Sequence, residues 1–242
     1  MDERLEILYR DEWIVAVNKP SGLLVHRSWI DKDETRFALQ MVRDQIGRYV
    51  YPVHRLDKPT SGVLLFALDA ETAKRLGALF ESGEVRKEYL AVVRGYTDKA
   101  GLIDYPLKEI LDKMTDAKAR KDKEAQKAVT AYECLATVEL PIPVGRYGSA
   151  RYSLVRLRPE TGRKHQLRRH MKHLLHPIVG DTKYGRTEHN NLFREHFGCH
   201  RLLLASTAME LPHPVTGKRL RITASPGDVF CMVMERLGWR AE

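Results

Sequence analysis

The sequence predicts an α+β fold, a mixed and largely antiparallel sheet with flanking helices. Three observations predict it. Apolar runs of strand length outnumber runs with helical spacing. Neighbouring strand-like runs read as hairpins more often than as strand-helix-strand units. No internal repeat and no Pro/Gly-rich linker divides the 242 residues, so a single domain over 1–242 is expected.

The elements follow in order. Residues 14–17 form a short apolar strand that stops at Asn18-Lys19-Pro20-Ser21-Gly22, a strong turn signal. Residues 37–46 carry helical spacing, with Thr35 as the expected N-cap. Residues 63–68 are a continuous apolar strand. A helix over 69–80 follows, with Asp69 as cap and Gly83 just past its end. Another strand is expected over 89–93. Residues 113–127 are charged and poor in apolar side chains, the composition of a mobile surface loop or insertion. Residues 129–140 and 152–157 alternate as paired strands, joined by a long turn over 141–150. Residues 165–175 look helical. Strands over 202–211 and 220–222 and a helix over 229–237 complete the chain.

Charge narrows the class of partner. Lys plus Arg number 41 against 32 Asp plus Glu, a formal charge of +9, and the pI is near 9.5. Such a surface favours a polyanion, and nucleic acid comes first because phosphate neutralisation releases counterions. A generic basic protein is the bland reading. The three cysteines, Cys134, Cys199 and Cys231, are isolated and form no CxxC pair, as expected of reduced thiols. Residues 1–9 are acidic and amphipathic, unlike a signal peptide, and no apolar run has the length of a membrane span. A cytoplasmic protein with no membrane association is expected.

Three segments stand out. In His54-Arg55-Leu56-Asp57-Lys58-Pro59-Thr60-Ser61-Gly62 one acid lies between basic residues and a Pro/Gly turn, directly before the apolar strand. Asp57 is therefore expected in a loop mounted on a buried strand, where reacting groups are usually carried. A solvated turn is the plain alternative. Lys87-Glu88-Tyr89 opens a strand, and Tyr89 reads either as core or as a ring face for a nucleobase. In the third segment, Arg158 to His170, a strand stops at Pro159, a Thr-Gly turn follows, and a very basic helix begins. Arg163, Lys164, Arg168, Arg169 and Lys172 there can meet phosphates. Leu167, Met171, Leu174 and Leu175 form that helix's apolar stripe. Arg168 lies beside it and is expected to be partly buried with an acid partner.

Several chemistries lack support. His165, His170, His173 and His176 invite a metal reading, but no third ligand has a clear spacing and the helix is cationic. Neither GxGxxG nor a P-loop occurs. Ser61 lacks a nucleophile-elbow context. A glycosidase needs two carboxylates, and Glu88 or Glu160 has no support as the second. One acid, one arginine, one aromatic ring and a basic surface remain. A single carboxylate suffices for a reaction that needs a nucleophile or base and keeps its leaving group. An arginine beside Asp57 would fix its direction, and a stacked ring would hold a planar base for reattachment.

Together these segments resemble the RluA family of pseudouridine synthases, from Leu5 to about Trp239. Residues 18–22 match its first motif, residues 54–62 its catalytic motif, Lys87-Glu88-Tyr89 its K-x-Y motif, and residues 158–170 its third. The resemblance implies conversion of uridine to pseudouridine without metal or cofactor. It implies Asp57 as the essential aspartate, Arg168 as its ion-pair partner and Tyr89 as the ring stacked on the uracil. Arg55 would fill the space left by a flipped-out base. His54, Lys87, Arg163, Lys164 and Arg169 join Arg55 as expected RNA contacts. The chain enters this domain almost at its first residue, so an N-terminal S4 RNA-binding domain is not expected. Leu24-Val25-His26-Arg27-Ser28-Trp29 and Gly145-Arg146-Tyr147 resemble members that modify tRNA at position 65 of the T-stem. The expected partner is therefore tRNA, and the expected state a monomer. Ribosomal RNA is the alternative substrate, and a catalytically silent RNA-binding module the alternative function.

Overall fold

A computed structural model describes residues 4–26, 35–109 and 124–239. In chain order the elements are β1 (Glu6–Arg10), β2 (Ile14–Lys19), α1 (Ala38–Ile46), β3 (Tyr51–Pro52), β4 (Ser61–Ala67), α2 (Ala70–Glu81), β5 (Arg86–Arg94), β6 (Ala100–Asp104), β7 (Val129–Leu140), β8 (Ala150–Pro159), α3 (Gln166–His173), α4 (Thr187–Phe197), β9 (Leu204–Pro212), β10 (Arg219–Thr223) and α5 (Asp228–Arg236). The strands form one sheet in the order β1-β2-β4-β9-β5-β8-β7-β6, with β3 added to β4 and β10 to β9. The pairings are antiparallel except β4 with β9, which meet in parallel at Ser61↔Ala205 and Gly62↔Ser206. This is the mixed, mostly antiparallel sheet with helices that the sequence predicts.

β4 explains why its sequence is apolar without interruption. Leu64 and Phe66 point into one core cluster with Val15, Val17, Tyr89 and Met171. Val63, Leu65 and Ala67 point into a second, with Met209 and α2's Leu76. Both faces are covered, so neither can be polar. At the head of β4 the backbones crowd. Gly62 has φ 110, and a β-carbon there would lie 2.0 Å from the Ser206 carbonyl oxygen. Only glycine permits this approach of β4 to β9, which fixes where the preceding Asp57 loop leaves the sheet.

The caps show where local signals hold. Asp69 caps α2 as expected, accepting from the Thr72 amide at 2.8 Å and the Thr72 hydroxyl at 2.7 Å. Thr35 does not cap α1. The capping position is Phe37, in extended conformation and with no side-chain cap bond. The amides of Ala38 and Leu39 donate instead to the carbonyls of Leu24 and Val25, at 2.8 and 3.0 Å. Backbone from the preceding loop replaces a polar cap. The basic helix is shorter than its 165–175 pattern at both ends, because His165 takes left-handed geometry before α3 begins and Leu175 takes it after α3 ends. The hairpin turn over 141–150 is seen, with β8 starting at its last residue. Of the charged stretch, Glu124 to Lys127 are exposed, with Gln126 paired to Leu107, and 113–123 lie outside the described residues. Arg27, Ser28 and Trp29 also lie outside them.

Candidate active site

Asp57 sits on a short turn ahead of β4, where the Thr60 amide donates to its carbonyl at 3.0 Å. The Asn18–Gly22 turn clamps this loop. Gly22 N–H donates to the Lys58 carbonyl at 2.9 Å, and the Ser21 hydroxyl donates to the Pro59 carbonyl at 2.7 Å. Lys19 is fully buried, and its ammonium donates to the carbonyls of Pro20, Leu23 and Lys58 at 3.0, 2.8 and 3.1 Å. Burial and the Arg201 charge bring that ammonium down to about 7, against the pull of Asp57. Lys19 thus ties the first motif to the aspartate loop, a role the turn reading of the sequence does not contain.

Arg168 enters from α3 and is 5% exposed. Its Nη1 donates to Asp57 Oδ2 at 3.2 Å. Its Nε and Nη2 form a fork on Asp181, at 2.7 Å to Oδ2 and 2.9 Å to Oδ1. The buried arginine therefore has two acid partners, and the closer one is Asp181. Burial acts to raise the Asp181 carboxyl, but the Arg168 guanidinium and the amides of Tyr184 and Lys183 outweigh it and hold it below the usual carboxylate range. Burial opposes the charge of Arg168 too, and Asp181 and Asp57 overcome it.

The turn carrying Asp181 is locked from behind. Gly180 has φ 79, and a β-carbon there would meet the Arg201 carbonyl oxygen at 1.9 Å. The Gly180 amide donates to Asn190 Oδ1 at 2.8 Å, and Asn190 Nδ2 returns a bond to the Asp181 carbonyl at 3.0 Å. Asn190 belongs to α4. Sequence reasoning missed α4, Asp181 and Asn190 together. The usable signal was Gly198 just past the helix end, where φ is 63.

Tyr89 lies in β5, opposite Ser206 of β9 and Leu157 of β8, at a register shift between Glu88 and Tyr89. It is 9% exposed and shares a cluster with Leu56 and Leu167, the neighbours in sequence of Asp57 and Arg168. Burial pushes its hydroxyl up to about 12, so it is a neutral phenol at physiological pH. The three segments singled out in the sequence thus converge on one place.

The expected RNA contacts divide. Arg55 is exposed next to Asp57 and has no ion-pair partner among the described residues. Arg163 and Lys164 are exposed, and Arg169 is half-buried. Lys87 is half-buried, and burial lowers its ammonium. His54 is placed differently. Its Nε2 accepts from the Leu65 amide at 3.0 Å, and its ring stacks on Phe80 at 5.2 Å. Burial, with Lys87 nearby, lowers it to about 3. A neutral ring already committed to the backbone anchors the loop and offers no charge to a phosphate. His170 is likewise engaged, with its two ring nitrogens against the Thr130 hydroxyl and the Tyr105 carbonyl at 3.0 and 3.1 Å. Among the described residues no group of His, Cys, Asp and Glu is arranged to hold a metal ion, and no helix is long and apolar enough to cross a membrane.

A partly exposed carboxylate steered by a buried guanidinium, beside a neutral aromatic ring and flanked by exposed cations, suits base chemistry on RNA. The family described as RNA pseudouridylate synthase matches residues 13–173, which contain Asp57, Tyr89 and Arg168. The chain belongs to this family and is an isomerase. It is 55% identical over 236 residues to tRNA pseudouridine synthase C of Vibrio cholerae serotype O1, covering 98% of this chain and 97% of that one. It is also 55% identical over 235 residues to the protein of that name from Yersinia pestis, covering 97% and 91%. Among solved structures it is similar to Human RNA Pseudouridylate Synthase Domain Containing 4, with TM-score 0.71 and 28% identity over 96% of this chain and 93% of that one.

Proposed function

We propose that this enzyme isomerises uridine 65 in the T-stem of tRNA, with Asp57 as the catalytic carboxylate. The division of the Asp57 carboxylate carries the reading. Arg168 holds Oδ2, and among the described residues Oδ1 has no direct hydrogen bond. The reaction breaks N1–C1′, turns the uracil, joins C5 to C1′, and transfers a proton from C5 to solvent while N1 gains one. It is redox-neutral and keeps its leaving group, so it needs no co-substrate. Addition of the aspartate to the base, attack on C1′ and proton abstraction from the sugar all require one free oxygen on an oriented carboxylate, which Oδ1 supplies. Arg168 supplies the orientation, because a fork from Nε and Nη2 onto Asp181 fixes the plane of the guanidinium and the direction in which Nη1 points.

The target uridine leaves its stem to reach Asp57, as enzymes acting on a base require. Tyr89 receives the ring, and Arg55 supports the vacated stack. Lys87, Arg163, Lys164 and Arg169 hold phosphates. A single catalytic domain, acting as a cytoplasmic monomer, completes the reading. The tRNA assignment is supported by the curated relatives that carry tRNA in their names at 55% identity over nearly the whole chain. Tritium release from tRNA labelled at uridine C5, with wild type and Asp57→Asn, tests the chemistry. Release by wild type and none by the variant is expected. Mapping pseudouridine in RNA from a deletion strain tests the substrate. Loss at the T-stem site supports it, and loss only in ribosomal RNA moves the substrate there. A folded wild type that binds tRNA and releases no tritium would make the chain a binding module.

A further inference from the structure

Asp57 Oδ1 faces Nε2 of His165 at 3.9 Å, too far for a direct hydrogen bond and near enough to feel an N–H dipole. The position of His165 is unusual in two respects. Its backbone is left-handed, φ 57 and ψ 27, directly before α3, and its side chain caps no helix amide. A side chain is penalised in that region, and such strain persists where the surroundings enforce it, most often at functional sites. Its Nδ1 also lies 2.9 Å from the Tyr184 hydroxyl. Tyr184 belongs to the Asp181 turn, and the amides of Lys183 and Tyr184 each donate to Asp181 Oδ1 at 2.9 Å. The Arg168 guanidinium lies 5.1 Å from the Tyr184 ring centre. Five residues therefore close a circuit, with the Tyr184 backbone amide as the link to Asp181: Asp57, Arg168, Asp181, Tyr184, His165 and back to Asp57.

The circuit selects a tautomer. A proton on Nδ1 would leave the Nε2 lone pair facing a carboxylate oxygen, acceptor against acceptor. A hydrogen bond donated by the Tyr184 hydroxyl to Nδ1 places the proton on Nε2 and aims its N–H at Oδ1. Burial lowers the imidazole, Asp57 opposes this, and the Arg168, Lys183 and Lys164 charges add to it. Burial raises the Tyr184 phenol. At neutral pH both groups are in the neutral forms that the bond needs.

We propose that His165 is a positioning residue for Asp57, fixed as its Nε2–H tautomer by Tyr184, so that it orients Oδ1 toward the target nucleoside while Arg168 holds Oδ2. The proposal rests on the reading of Asp57 as the catalytic carboxylate. It gives the Asp181 turn a second task, since that turn orients both the arginine and, through Tyr184, the histidine.

The test is a double-mutant cycle read by single-turnover rate at saturating tRNA, with tRNA affinity measured alongside and folding checked by thermal melting. Tyr184→Phe removes the hydroxyl and keeps the ring. It is expected to slow turnover on the order of tenfold, the scale of one lost hydrogen bond to a polar group, with affinity unchanged. A glutamine amide N–H can reach the place of Nε2–H and has no tautomer to set, so His165→Gln should retain more activity than the shorter His165→Asn. In the His165→Gln background, Tyr184→Phe should change the rate less than about twofold. A wild-type rate in Tyr184→Phe, or an equal loss in both backgrounds, overturns the proposal, because Tyr184 would then not act through His165. Turnover retained by Asp57→Asn would overturn the reading of Asp57 itself, and the proposal with it.

Discussion

Asp57 and Asp181 share one arginine, and their replacement should separate activity from stability. Asp181 is 2% exposed and accepts four N–H bonds, two from Arg168 at 2.7 and 2.9 Å and two from the Lys183 and Tyr184 amides at 2.9 Å. Asp181→Asn keeps the shape, and its oxygen can still serve the amides. Its NH2 would face Arg168 Nε, donor against donor, and the buried guanidinium would keep one Nη2 bond to a now neutral oxygen besides the 3.2 Å contact to Asp57. Breaking a buried pair from one side costs about 3–5 kcal/mol. At about 2–4 °C per kcal/mol for a chain of this size, melting should fall by about 6–20 °C. Asp57 has 26% side-chain exposure and, among the described residues, its carboxylate accepts a single N–H. Asp57→Asn should therefore cost at most about 1 kcal/mol of stability while abolishing turnover. Melting curves by circular dichroism and tritium release from labelled tRNA measure the two effects. The pH dependence has a definite sign. Asp181 is depressed in the folded state, so its contribution is full above the unfolded carboxyl value and is lost as pH falls through the folded one. The gap between wild type and Asp181→Asn should be open at pH 7 and close toward strong acid. A variant melting within about 2 °C of wild type at pH 7, or Asp57→Asn melting as low as Asp181→Asn, would refute the assignment of Asp181 as the structural anchor.

Arg168→Lys should lose turnover severely, because one ammonium cannot bridge two carboxylates in fixed directions; unaltered tritium release would make Arg168 a plain charge. Tyr89→Phe should keep more single-turnover activity than Tyr89→Ala, which forfeits a stack of about 1–3 kcal/mol; equal losses would point to the hydroxyl rather than the ring face. Gly62→Ala should destabilise strongly, since its β-carbon would sit 2.0 Å from the Ser206 carbonyl oxygen, and a wild-type melting temperature would show that β4 and β9 separate freely. Arg55→Ala should slow conversion of a stem-paired uridine more than one opposite a mismatch; an equal effect on both would assign Arg55 to a phosphate.

The parts legible in the sequence are those where a local pattern and the tertiary structure ask for the same residue. β4 reads as a strand because both its faces are buried. α2 is bounded by Asp69 and Gly83 because its cap is made by its own side chain. β1 and β6 escape notice as edge strands with mostly exposed or half-exposed residues and no alternating face. α1 has its length from periodicity, but its start is set by carbonyls of Leu24 and Val25, which no local cap signal reports.

The site divides along the same line. Asp57, Tyr89 and Arg168 stand in segments whose residue types are unusual for their local structure. The need of Arg168 for an acid follows from its place beside an apolar stripe. Which acid does not follow. Asp57 and Asp181 both meet it, and the sequence around Gly180-Asp181-Thr182 reads as an ordinary turn. What raises Asp181 above other turn aspartates is burial, a backbone that only glycine can adopt at 180, and an asparagine from α4 closing it from behind. All three are long-range facts. An acid proposed to perform chemistry must stay partly exposed, so its surroundings are loop-like and motif-rich. The acid that holds the arginine must be sealed, so its partners come from wherever the fold places them. An arginine with one partner of each kind is rigid on its sealed side and turns only its Nη1 group to the exposed carboxylate. That asymmetry lets one guanidinium orient Asp57 without occupying both of its oxygens.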